Sequence, residues 1–73
     1  MNEVKNFLVA NGFLKSEKNV YHNDKCTVII NKENYSVIDN NFSIIISDNI
    51  NIYWLIGILT YQGFMDKNYK QLN

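Results

Sequence analysis

The chain has 73 residues, with seven lysines balanced by seven carboxylates, no arginine and one cysteine. A chain of this length makes one domain near the lower limit for independent folding. The lone thiol excludes an intrachain disulfide, and no cluster has zinc-ligand spacing. Zero net charge argues against nucleic-acid binding, because neutralising phosphate with a basic surplus supplies most of that affinity.

Asn2–Asn11 predicts a short amphipathic helix. Val4, Phe7 and Leu8 stand at i, i+3 and i+4, and Glu3 lies in the first turn, where a carboxylate suits the helix dipole. Gly12-Phe13 supplies its stop. Lys15–Asn19 is polar and reads as a loop. Beyond it the apolar period changes from helical to alternating. Val20–His22 and Lys25–Asn31 flank Asn23-Asp24, a turn pair that tolerates positive φ. Turns at Asn31–Asn34 and Asp39–Asn41 leave Tyr35–Ile38 and Phe42–Ile46 as further strands.

Ile50–Phe64 is the longest apolar stretch. Ser47-Asp48 is expected to cap a helix running from about Asn49 to Gln62, closed by Gly63-Phe64 in a Schellman stop. On a helical wheel Ile52, Leu55, Ile56 and Leu59 share one arc, and Ile50, Trp54, Ile58 and Tyr61 share another. Gly57 inside a helix costs about 1 kcal/mol, which predicts close approach by a neighbour. The stretch is too short to span a bilayer, so no membrane role is expected. Met65–Asn73 reads as a short helix capped by Asp66 or as a frayed tail.

The fold class that follows is two-layer α+β, in the order α-β-β-β-(β)-α. A meander of three or four antiparallel strands carries both helices on one face. Alternation assigns Cys26, Val28, Ile30, Tyr35, Val37, Phe42, Ile44 and Ile46 to the core face. Thr27, Ile29, Ser36, Ile38, Ser43, Ile45 and Ser47 then face the other way.

Chemistry-bearing groups are sparse. His22 and Cys26 are the only candidates for a nucleophile and its base. A two-residue turn at Asn23-Asp24 would set His22 opposite Lys25 and Tyr21 opposite Cys26. The pair would then lie on opposite faces. The carboxylates are dispersed over turns and helix starts, and no glycine-rich phosphate loop exists. We therefore expect no enzymatic activity, cofactor or metal.

Surplus apolar surface is the remaining signal. Trp54, Ile58 and Tyr61 on the helix, or Ile29, Ile38 and Ile45 on the sheet, are the candidate partner-binding residues, for another protein or a second copy. The helix–meander–helix order resembles double-stranded-RNA-binding domains and HicA-type RNA-cleaving toxins, which gives small RNA-binding or RNA-cleaving domains as the alternative. The basic surface of those groups is missing, and His22 follows Val20-Tyr21 where the toxins have Gly-Ser. A composition rich in Asn, Ile and Lys and free of Pro suggests an AT-rich genome, such as that of a low-GC bacterium or its phages. The free thiol, without an N-terminal signal pattern, suggests the cytoplasm. The expectation is an accessory or inhibitor protein of a phage or other mobile element, acting on a partner's surface.

Overall fold

A computed structural model describes residues 2–71. Its elements are α1 (Asn2–Ala10), β1 (Leu14–Glu17), β2 (Val20–His22), β3 (Cys26–Ile30), β4 (Tyr35–Asp39), β5 (Ile44–Ile46) and α2 (Ile52–Tyr61). The strands form one antiparallel meander in the order β1-β2-β3-β4-β5. Val4, Phe7 and Leu8 of α1 share a single core with Leu55, Ile56 and Leu59 of α2 and with Tyr21, Val28 and Val37 of the sheet. Both helices therefore lie on the same face, and the fold is two-layer α+β.

Both helices stop as their Gly-Phe pairs predict. At the end of α1 the Phe13 N–H donates to the Leu8 carbonyl (3.0 Å), and the Gly12 N–H donates to Val9 (3.2 Å). At the end of α2 the Phe64 N–H donates to Leu59 (2.8 Å), and the Gly63 N–H donates to Thr60 (3.1 Å). Gly12 and Gly63 adopt φ of 91° and 77°, the left-handed conformation of the Schellman motif. Phe13 is carried into the core beside Leu8.

Four expectations change. Leu14–Glu17 is a strand paired with β2 through a bulge between Lys15 and Glu17. All four of its side chains are exposed, so no buried alternation revealed it. The α2 cap is Asn51, whose Oδ1 accepts from the Tyr53 N–H at 2.9 Å. Ser47 is used elsewhere: its buried Oγ accepts from the Tyr35 N–H (2.8 Å) and donates to the Asn49 carbonyl (2.7 Å).

The chain after α2, as far as it is described, is neither helix nor frayed. Met65 is buried, and the Asp66 carboxylate accepts from the Asn68 N–H (2.8 Å) in a turn. Tyr69 meets Phe7 edge-to-face at 5.9 Å. Asn11 clamps Lys70 as a strand would, with Nδ2 donating to its carbonyl (3.1 Å) and Oδ1 accepting from its N–H (2.7 Å). Residues 72–73 of the expected Met65–Asn73 segment lie outside the described residues.

The fourth change concerns β5. Val37 pairs with Ile45, whereas Ile38 pairs with Ile44 and Ser36 with Ile46. Val37 is a core residue, so Ile45 shares the inner face, and Ile44 and Ile46 turn outward. The assignment of Ile44 and Ile46 to the core, and of Ile45 to the outer face, is thereby reversed. The cause is the β4–β5 connection. Asn40, Asn41 and Phe42 form a three-residue loop, and Phe42 takes φ of 64°. The Asp39 carboxylate braces this loop by accepting from the N–H groups of Asn41 (2.8 Å) and Ser43 (2.9 Å).

Candidate interaction surface

Two cross-strand rows make the outer face of the sheet. One runs Leu14, His22, Thr27, Ile38, Ile44, and the other runs Val20, Ile29, Ser36, Ile46. Glu17 stands opposite Val20 at the β1 end. Ile44 and Ile46 are 58% and 59% exposed, Leu14 is exposed, and Val20, Ile29 and Ile38 are half-buried by their neighbours. Since α1 and α2 are both committed to the inner face, neither covers these rows. Exposed apolar side chains grouped on one face in this way are typical of interaction sites.

Phe42, in the loop that leads into β5, is 85% exposed. A bulky residue at positive φ is uncommon, and the left-handed conformation costs about 1–2 kcal/mol outside glycine. Strain held by an exposed aromatic side chain motivates a functional role at that position.

Of the sequence-predicted sheet residues, Ile29 and Ile38 do lie on the outer face, and Ile45 does not. Ile44, Ile46 and Leu14 were not foreseen as its members. The helix candidates are split. Trp54 and Ile58 pack partly against the core, whereas Tyr61 is 86% exposed. Tyr53 is also exposed, and Gly57 lies between these tyrosines along the helix. A Cβ at Gly57 would meet nothing within 4 Å, so among the described residues no group explains the glycine by close approach.

His22 pairs with Thr27 on the outer face, and Cys26 is buried on the inner face. The hairpin turns at Asp24-Lys25, one residue beyond the expected Asn23-Asp24, which shifts the register by two, so the two side chains still diverge. Asn23 organises the turn: its N–H donates to the Cys26 carbonyl (3.0 Å), and its Oδ1 accepts from the N–H groups of Lys25 (2.8 Å) and Cys26 (3.0 Å). Burial, with a smaller contribution from the Asp24 carboxylate, pushes the Cys26 thiol up to about 12. Burial and the raised pKa both disfavour the thiolate at neutral pH. Among the described residues no group of three or more His, Cys, Asp or Glu could hold a metal ion, and no helix is long and apolar enough to cross a membrane.

No family model matches the chain, and no curated protein or solved structure matches it either.

Proposed function

We propose that the chain is a non-enzymatic protein-interaction module that binds a partner protein through the outer face of its sheet. The observation carrying this reading is the group of isoleucines on the outer face, Ile29, Ile38, Ile44 and Ile46, which neither helix covers because both serve the inner face. The exposed, strained Phe42 in the loop that leads into β5 supports it. The sheet face ranks above the helix face because Trp54 and Ile58 are partly used by the core. The composition rich in Asn, Ile and Lys and the buried free thiol support a cytoplasmic accessory or inhibitor protein of a phage or other mobile element.

The test is affinity capture of the tagged chain from the cells that encode it, using two variants whose folding is checked by circular dichroism. The partner should be recovered by wild type and by Tyr61→Ser, and lost with Ile38→Lys. Loss with Tyr61→Ser alone would move the interface to α2. A parallel titration with structured RNA at two salt concentrations addresses the other class. Salt-sensitive micromolar binding would replace the protein-binding reading with the RNA reading.

A further inference from the structure

The two edges of the sheet are built differently. At one edge, β1 carries a bulge and the charged Lys15 and Glu17, the usual protections against pairing with another strand. At the other edge, β5 is Ile44-Ile45-Ile46, with neither charge nor bulge in its pairing with β4. Hydrogen bonds on either side of β5 fix which of its backbone groups are free. The Asp39 N–H donates to the Ser43 carbonyl (3.0 Å), and the Ser47 N–H donates to the Tyr35 carbonyl (3.0 Å). Hydrogen-bonded pairs alternate along an antiparallel ladder, so Ile45 bonds to Val37. The N–H and C=O groups of Ile44 and Ile46 consequently point away from β4.

The sequence around this edge, Ser43-Ile44-Ile45-Ile46-Ser47, reads the same in both directions. We propose that β5 is the edge through which two copies of this chain join their sheets, antiparallel and two-fold symmetric about Ile45. In that register Ile44 stands opposite Ile46 of the second copy, and the free groups at both positions form four interchain hydrogen bonds. The Ile44 and Ile46 side chains meet their counterparts on the outer face, the two Ile45 side chains become neighbours on the inner face, and serine meets serine at the ends. Asp48 falls opposite Phe42, so no like charges are juxtaposed. The occupant is a second copy because both the residue order and the positions of the free groups are symmetric about one residue. The inference does not depend on the partner-binding reading, and the isolated chain tests it.

Such an edge contact is at the small end of interface sizes, so association should appear only as concentration rises. Sedimentation of the wild-type chain up to about 1 mM should show a monomer–dimer equilibrium. Ile44→Lys with Ile46→Lys sets like charges opposite each other and should weaken dimerisation at least tenfold. Ile44→Lys with Ile46→Glu sets each new ammonium opposite a new carboxylate of the other copy and should restore it. Amide exchange in the wild type provides a readout that needs no variant. The Ile44 and Ile46 amides should slow with concentration, while the Ile45 amide stays protected throughout. A wild-type monomer across the range would overturn the proposal and leave the edge to a foreign strand. Dimers that survive the double-lysine change, or exchange at Ile44 and Ile46 that ignores concentration, would overturn it too.

Discussion

Cys26 shows how one side chain ties burial to pH. An ordinary thiol ionises near 9.0, whereas burial and then Asp24 push this one up to about 12. Between those values the unfolded chain gives up a proton that the folded chain keeps. The contribution is fully present below pH 9 and is lost as pH rises toward 12, by about 1.4 kcal/mol per unit. Tyr35 is raised by burial and then by Glu3, which adds to the same alkaline decline at higher pH. Urea melts at about pH 8 and about pH 9.8 should differ by about 1 kcal/mol in the wild type. The Cys26→Ala variant should show little of that difference. Equal losses in the two proteins would mean that the thiol is solvated. At this scale the sequence is a good guide where chemistry is local. Gly12-Phe13 and Gly63-Phe64 announce their helix stops because the required conformation belongs to glycine. Gly57 misleads for the opposite reason: an exposed glycine in α2 has no neighbour among the described residues to account for it.

For whole elements, legibility depends on contrast between faces. Strands β3 and β4 alternate buried and half-buried residues against Thr27, Ser36 and other polar markers, so Ile29 and Ile38 could be placed from sequence. Strand β5 is three identical residues, and nothing within it selects a face. Its parity is decided outside the strand, by the three-residue loop and the left-handed Phe42. Strand β1 was hidden because it buries nothing. Phe42 also yields the prediction for this hairpin. Glycine is the usual occupant of that loop position, so Phe42→Gly should raise stability by about 1 kcal/mol and weaken capture of the partner. The checks are thermal melting and the capture assay. A variant that is no more stable and binds as before would remove Phe42 from both the strain and the surface arguments.

At the scale of the molecule, the distribution of cover matters most. Two short helices and the Met65–Tyr69 segment are all directed to one side of a five-stranded sheet. That side closes around Leu8, Leu55, Leu59, Val28 and Tyr35, all fully buried. The described residues hold no further element for the other side, so the outward turn of Ile44 and Ile46 leaves apolar surface in water. The most direct measurement is the attenuation of isoleucine methyl NMR signals by a soluble paramagnetic probe at low protein concentration. The account predicts strong attenuation at Ile44 and Ile46, clearly weaker attenuation at Ile45, and protection at Ile56. Protected Ile44 and Ile46 methyls beside an attenuated Ile45 would contradict it.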